Sequence, residues 1–302
     1  MNHVVVHGPV SWNTVVRLPR LPAPVPHMEL AAAHHDGLGG TSAGKAVTLA
    51  ALGVPTTLVT TTGDDEQAAR VLDALGAGRG GGDLRVLARP ALGGRTERHV
   101  NLVADDGARL SLYLELPTAP PADDAVLAAV RAADAAVLDL AAGSRPLLDV
   151  ARAAGVPVWC DVHDDDGVGD FARAFAAAAD VLLVSAARLA DPRAYLRAAL
   201  RSGTSLAVCT DGARGALALD ADGWWEVDVA DAGPVVDAEG AGDAFLAGLL
   251  RATLAGAPRR DALAQAAATG ALAVTHLGLA APHADPATVE TLARAVRVTG
   301  PA

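Results

Sequence analysis

The sequence predicts an α/β fold with a mostly parallel central sheet, helices on both of its faces and a small β lid. Short β-branched runs alternate with long Ala/Leu-rich runs, a pattern typical of βαβ units. The short runs are apolar throughout, as expected for strands buried on both faces of a sheet. Residues 98–116 instead alternate in polarity around the turn dipeptide Asp106-Gly107, which predicts an antiparallel hairpin in the lid.

Predicted strands and helices alternate along the chain. Strands are predicted at 4–8, 56–60, 135–140, 156–161, 180–185 and 205–210. Helices are predicted at 43–52, 64–75, 145–154, 168–179, 187–201 and 261–275. The lid segments are predicted at about 14–36, with four prolines between residues 19 and 26, and at 95–117, while RGGG at 79–82 predicts a turn. No linker divides the chain, so residues 1–302 are expected to form a single domain.

Composition limits the partners. Hydrophobic residues make up 51% of the 302 residues and the net charge is −11, which argues against a nucleic-acid partner, because phosphate backbones need a basic face. Cys160 and Cys209 lie in apolar, strand-like runs and predict buried thiols rather than a disulfide or zinc site. The amino terminus lacks a signal-peptide pattern and no apolar run of about 18 residues occurs. A cytoplasmic protein without membrane contact is expected.

The stretch GLGGTSAGKAVTLAALG, residues 37–53, raises the question of phosphate binding. Gly39, Gly44 and Lys45 have the spacing of a P-loop, whose next residue is Ser or Thr because its hydroxyl binds Mg²⁺. That position is Ala46, and MELAAAHHDG before the loop is a poor strand. The P-loop interpretation is therefore disfavoured.

A second glycine cluster, VVDAEGAGDAFLAGLLRATLAG at 235–256, precedes an amphipathic helix. Gly240 and Gly242 lie at the helix start, where free backbone N–H groups and the helix dipole attract an anion. Asp243 beside them can take a proton from a hydroxyl that attacks a phosphoryl group, with Gly240, Ala241 and Gly242 stabilising the phosphate charge. The alternatives are an ordinary helix start, in which Asp243 merely favours the dipole, or a dinucleotide fingerprint, which needs glycine where Phe245 stands.

With these motifs the chain resembles the ribokinase-like (PfkB) carbohydrate kinases. The second cluster is similar to their D-T-x-G-A-G-D signature, and Gly39, Gly40 and Ala46 match their G-G-x-x-x-N-x-A signature. Residues 8–22 and VCTDGARGA at 208–216 resemble the first strand and the nucleotide-binding turn of the family. The resemblance covers nearly the whole chain and implies a ribokinase-like three-layer α/β/α fold.

The resemblance also implies site residues and ligands. ATP with Mg²⁺ is expected, and a K⁺ site is the expectation that Asp237 adds. The acceptor pocket is expected at Ser11, Asn13, Gly39, Gly40, Gly44 and Lys45. The adenine side of ATP is expected at Thr210, Gly212, Gly215, Ala267 and Gly270. Asp237 lies where the monovalent-cation loop of the family begins, and a homodimer through the lid is expected.

Some positions depart from the family pattern. Asn13 replaces an aspartate that grips sugar hydroxyls, and Gly44 replaces the signature asparagine. Lys45 is interpreted either as a solvated helix residue or as a contact for an anionic group of the substrate. The family also has N-x-x-E after the strand that ends at Ser185, but the glutamate position holds Arg188, which cannot bind a metal.

The acidic loop HDDDG, residues 163–167, offers a replacement for that glutamate. It follows a strand that ends at Asp161, and ligands of open α/β sheets collect at the carboxyl ends of strands. Asp164 and Asp165 are therefore candidate Mg²⁺ ligands, and the alternative is a solvated acidic turn.

The function expected from these observations is an ATP-dependent kinase that phosphorylates a hydroxyl of a sugar or sugar-like small molecule. A nucleoside acceptor is the alternative within the same class. A binding or regulatory protein on the kinase scaffold is the alternative outside it, motivated by Gly44, Ser185 and Arg188. Asp243 opposes that alternative, because a pure binder needs no base.

Overall fold

The computed structural model describes residues 2–77, 82–279, 281 and 284–301. In this part of the chain a ten-stranded sheet has the order β14-β13-β12-β11-β10-β9-β8-β1-β4-β5. Its strands are β1 (Val4–His7), β4 (Thr56–Thr62), β5 (Leu84–Pro90), β8 (Ala135–Leu138), β9 (Val158–Asp161), β10 (Val181–Ser185), β11 (Leu206–Thr210), β12 (Ala216–Asp220), β13 (Trp224–Val227) and β14 (Val298–Thr299). The strands from β5 to β11 pair in parallel and the rest pair antiparallel.

A four-stranded second sheet, the lid sheet, has the order β3-β2-β6-β7. Its strands are β2 (Ser11–Leu18), β3 (Ala33–Gly39), β6 (Arg98–Ala104) and β7 (Arg109–Glu115). The predicted hairpin is confirmed as the antiparallel pair β6–β7, with Gly107 in its turn at φ +85°. On β7 Leu110, Leu112 and Leu114 are exposed; self-association through this edge stays a prediction.

Helices cover both faces of the large sheet. They are α1 (Thr41–Ala51), α2 (Glu66–Ala77), α3 (Asp124–Arg131), α4 (Arg145–Ala154), α5 (Asp170–Ala178), α6 (Pro192–Arg201), α7 (Ala241–Leu254), α8 (Arg259–Ala273) and α9 (Pro286–Ala293). The sheet separates two apolar cores. One holds α1, α7 and α8, and the other holds Phe175 of α5 and the buried faces of α3, α4 and α6. Alternate residues of each strand point to opposite cores, which is why the strand sequences are apolar throughout.

The three-layer α/β/α fold class is thus confirmed, and the differences from prediction are local. Residues 14–36 were expected to be an irregular or edge-strand segment of the lid; strands β2 and β3 pair along seven residues and the prolines lie in their connection. The helix predicted at 187–201 begins only at Pro192, because the Asp191 side chain accepts a hydrogen bond from the Ala194 N–H and caps it there. Of the turn predicted at 79–82, residues 79–81 lie outside the described part of the chain.

Two smaller expectations concern the cysteines and transmembrane segments. Both thiols are free and buried, and burial raises the pKa of Cys209 to about 11, so these thiols behave as core residues. Among the described helices, none has the length and apolar character that a transmembrane segment needs.

Candidate active site

The site forms where the carboxyl ends of two parallel strands meet the amino ends of two helices. Asp139 directly follows β8 and Asp161 ends β9. Helix α1 brings Thr41 and Lys45, which lie one turn apart on the same face. Helix α7 brings Asp243 in its first turn. The two glycine-containing stretches, residues 37–53 and 235–256, are about 200 residues apart in sequence but thereby lie in contact.

Asp243 is held by contacts with α1. Its Oδ1 lies 2.8 Å from Lys45 Nζ and accepts a hydrogen bond from the Thr41 hydroxyl. Its Oδ2 faces Gly44, where an added Cβ would lie 3.0 Å from that oxygen. The same Cβ would lie 3.0 Å from the Leu279 backbone oxygen, so a side chain at position 44 would crowd the second carboxylate oxygen.

Burial and charge act in opposite directions on this carboxyl. Burial raises the pKa of Asp243 above its ordinary value, and the ammonium of Lys45 opposes the rise. At Asp161 burial also opposes ionisation, but His163 and Lys45 together hold its pKa below the ordinary value. The Lys45 ammonium itself is buried, yet its pKa is raised by Asp139, Asp243 and Asp161. It is therefore charged at neutral pH.

The loop before α7 has the conformation of an anion site. Gly240 precedes the helix at φ +75°, and an added Cβ would lie 1.8 Å from the backbone oxygen of Leu279. At Gly242 an added Cβ would meet no atom within 4 Å, so the space over this helix end is open. The N–H groups of the first helical turn have no acceptor within the helix. Glycines, free donors and the dipole together fit a phosphate.

The predicted acceptor residues Ser11, Asn13 and Gly39 lie together where β2 pairs with β3. A Cβ on Gly39 would lie 2.1 Å from Asn13 Nδ2 and 2.6 Å from Ser11 Oγ, so only glycine fits. Asn13 Oδ1 accepts a hydrogen bond from the His99 N–H. Ser11 Oγ and Asn101 Oδ1 are buried without a hydrogen-bond partner among the described residues. A polar ligand would satisfy such atoms.

The predicted nucleotide residues fall on two elements. Thr210 ends β11, and the short 3-10 turn Gly212–Arg214 leads to Gly215 at φ +87°. A Cβ at Gly215 would lie 2.1 Å from the Val227 oxygen, so the turn requires glycine. Ala267 and Gly270 lie on α8, and Gly270 allows α8 to approach α7, since its added Cβ would lie 3.1 Å from the Ala241 oxygen. Their places beside the adenine stay predictions.

The acidic loop after β9 is partly engaged with its neighbours. Asp165 Oδ2 accepts a hydrogen bond from the Tyr195 hydroxyl at 3.0 Å, and Asp166 pairs with Arg188 at 2.7 Å. Asp164 is exposed. As Mg²⁺ ligands, Asp164 and Asp165 stay predictions.

One further group has the spacing of an ion site in the described part of the chain. Ligand atoms of Asp161, His163 and Asp243 lie within 4.8 Å of one another. The Lys45 ammonium lies 3.3 Å from Asp161 and 2.8 Å from Asp243. The Lys45 ammonium thus already occupies a cation position between these carboxylates, and we assign no metal ion to the group.

The lid sheet contacts the loop before α7 at two residues, Asp237 and Glu239. Arg17 Nη2 of β2 lies 3.2 Å from Oδ1 of Asp237, whose side chain is fully buried. Asn101 Nδ2 of β6 donates a hydrogen bond to Glu239 Oε1 at 2.9 Å. The guanidinium thus supplies positive charge at Asp237, for which the resemblance implied a monovalent cation. The K⁺ assignment stays a prediction.

Replacing Arg17 with Met is expected to weaken the protein and loosen the lid. Asp237 would keep weak backbone donors at the N–H groups of Glu239 and Gly278 but lose its charged partner, which costs about 1–3 kcal/mol. Urea unfolding measures the loss of unfolding free energy. A raised KM for the sugar acceptor would show that the loosened lid holds the acceptor less well. Arg17→Lys, which keeps the charge, is the matched control. An unchanged unfolding free energy would show that this pair contributes nothing.

Four residues of the site were not predicted from the sequence: Thr41, Asp139, Asp161 and Arg17. The two aspartates had a usable signal, because each stands at the carboxyl end of a predicted parallel strand, where ligands collect. Thr41 and Arg17 had none, since their partners Asp243 and Asp237 lie about 200 residues away. The interpretation of Lys45 as a solvated residue is wrong, because its side chain is fully buried. Its predicted contact with the substrate is not tested.

Comparison with known proteins connects this geometry to a family. A family model described as pfkB family carbohydrate kinase matches residues 141–286. An acarbose 7(IV)-phosphotransferase from Actinoplanes sp. is 34% identical over 282 residues, which span 90% of this chain and 92% of the relative.

Solved structures match nearly the whole chain. A microbiome-derived acarbose kinase shares 29% identity at a TM-score of 0.81, covering 97% of this chain and 99% of its own. A ribokinase from Arabidopsis thaliana, solved with ribose and ATP, shares 23% identity at a TM-score of 0.77 with the same coverages. At this lower identity the second likeness supports the fold alone.

Proposed function

This chain belongs to the pfkB family of carbohydrate kinases, and we propose that it transfers the γ-phosphate of ATP to a hydroxyl of a sugar-like acceptor, with Asp243 as the base. One observation carries the proposal. Asp243 lies at the amino end of α7 beside the turn of Gly240 and Gly242. It also contacts α1, the helix that follows Gly39 and Gly40. Base, anion site and acceptor pocket therefore adjoin one another.

Asp243 is suited to receive the proton of the attacking hydroxyl. Its Oδ1 is engaged by Lys45 and Thr41, and its Oδ2 lies beside Gly44, which has no side chain to crowd it. Burial raises its pKa, which moves a carboxylate toward the basicity that general-base catalysis at neutral pH requires. As the acceptor oxygen bonds to the γ-phosphorus, its proton moves to Asp243 and ADP leaves.

The amino end of α7 is suited to the transferring phosphate. Backbone N–H groups of Gly240, Ala241 and Gly242 are fixed donors, which need no reorganisation when charge develops on phosphate oxygens. Mg²⁺ bound with ATP would neutralise part of the phosphate charge. Asp164 and Asp165 are the proposed contacts for it, on the strength of the carboxylates and their place at the strand ends.

The acceptor pocket favours a hydroxyl-rich molecule. Ser11, Asn13 and Asn101 offer buried polar atoms, and two of these lack a partner among the described residues. We propose acarbose and related sugars as the first acceptors to test, because the curated relative is an acarbose phosphotransferase. An anionic group in direct contact with Lys45 is disfavoured, because three carboxylates already surround that ammonium.

The test is ADP release from ATP and Mg²⁺ with a panel of acarbose, oligosaccharides, monosaccharides, polyols and nucleosides. Acceptor-dependent turnover with a sugar, and phosphorylated sugar in the product, is expected. Turnover confined to nucleosides would move the assignment to the alternative acceptor class. ATP binding without turnover on any acceptor would favour a binding protein. Nucleotide binding itself is measured by the melting temperature, which is expected to rise with ATP only when Mg²⁺ is present.

A further inference from the structure

Lys45 is the single lysine of this chain, and it lies in the active site. The other 23 of the 24 Lys and Arg residues are arginines. Lys45 is also the largest fully buried side chain among the described residues. All other Lys/Arg positions of the sequence hold arginine, but this one holds a compact ammonium. A planar guanidinium cannot reproduce its geometry.

Three carboxylates surround this ammonium. Lys45 Nζ lies 2.9 Å from Asp139 Oδ1, 3.3 Å from Asp161 Oδ2 and 2.8 Å from Asp243 Oδ1. It also donates a hydrogen bond to the Thr41 hydroxyl, which in turn donates to Asp243 Oδ1. The partners come from β9, α7 and the segment after β8, so Lys45 joins three elements that are distant in sequence.

The charges make this contact necessary. Without Lys45, three buried carboxylates would share one site, and like charges in a buried site favour protonation of one of them. Asp243 is the member whose pKa burial already raises, and a protonated Asp243 is no base. Other titratable groups also face the cluster. His163 Nδ1 lies 3.3 Å from Asp161 Oδ2, and the buried His7 and Cys160 both interact electrostatically with Asp139.

We propose that Lys45 is the positioning residue of the base: its ammonium holds Oδ1 of Asp243, offsets part of the negative charge of Asp139 and Asp161, and leaves Oδ2 to receive the hydroxyl proton. The replacement of the signature asparagine by Gly44 fits the same arrangement, since a side chain there would crowd Oδ2. This inference rests on the proposed function.

Four proteins test it: wild type, Lys45→Gln, Asp139→Asn and the double variant. For Lys45→Gln we expect kcat at pH 7 to fall at least about tenfold and the acidic limb of the kcat profile to move up by about 1–3 pH units. In the double variant, which has one carboxylate fewer, the limb is expected to move back toward wild type. If the unpaired charges unfold Lys45→Gln, the double variant, compared with Asp139→Asn, carries the same test.

A second measurement uses the single lysine. Protein labelled with ¹⁵N-lysine has one side-chain nitrogen signal, which is expected to remain that of an ammonium through pH 10 and to shift in Asp243→Asn. A wild-type pH profile in Lys45→Gln, or loss of kcat without movement of the acidic limb, would overturn the proposal. Retained turnover in Asp243→Asn would instead overturn the proposed function, so the two failures are distinguishable.

Discussion

Asp243→Asn is expected to lower kcat for the sugar acceptor by about 10²–10⁴-fold, the usual contribution of a positioned general base. The amide keeps the size of the side chain and can still accept the Thr41 hydrogen bond, but it cannot take the hydroxyl proton. KM for ATP is expected to change little, because the N–H donors of α7 remain. Steady-state kinetics by ADP release measure both parameters.

The matched control is Asp261→Asn. Asp261 is also an acidic residue in the first turn of a helix, α8, but it is exposed. If Asp243 merely favoured its helix dipole, the two variants would lose similar small amounts, about 0.3–1 kcal/mol of stability and no activity. Comparable kcat values in both variants would exclude Asp243 as the base.

Gly242→Ala is expected to reduce phosphoryl transfer on the order of 10²-fold, because the methyl group would keep the phosphate from a backbone donor and loss of one such contact acts on this scale. No loss of stability is expected. An added Cβ meets no protein atom within 4 Å, and alanine is the better helix former. The methyl group occupies the open space over the helix end, where we place the phosphate. Kinetics combined with thermal unfolding separate these effects.

Gly240→Ala and Gly256→Ala complete the comparison. Both glycines have left-handed backbones, at φ +75° and +74°, but only at Gly240 would the new Cβ collide with a backbone oxygen, that of Leu279. Gly240→Ala should lose both stability and activity, whereas Gly256→Ala should show only the conformational cost of about 1–2 kcal/mol. Full activity in Gly242→Ala would show that phosphate does not approach this turn.

The local patterns were sufficient for much of the fold. Strand prediction succeeded where apolar β-branched runs are bounded by turns, as at β1, β4 and β11. It failed at β5, an edge strand in which only Leu84 is buried, and it left open the regular strands β2 and β3 of the lid, whose pairing depends on their partner strands. Edge and lid strands depend on their partners more than on their own sequence.

The sequence by itself determined the fold class, the glycine turns and Asp243, because backbone conformation and helix-end chemistry are local properties written in a few adjacent residues. Only the tertiary structure decided that Lys45 is buried among carboxylates. On α1 the sequence cannot tell a solvated lysine from a buried one, since burial depends on what the other elements bring. Asp139, Asp161 and Asp243 come from three separate parts of the chain, and their combined charge makes a buried ammonium at this point favourable.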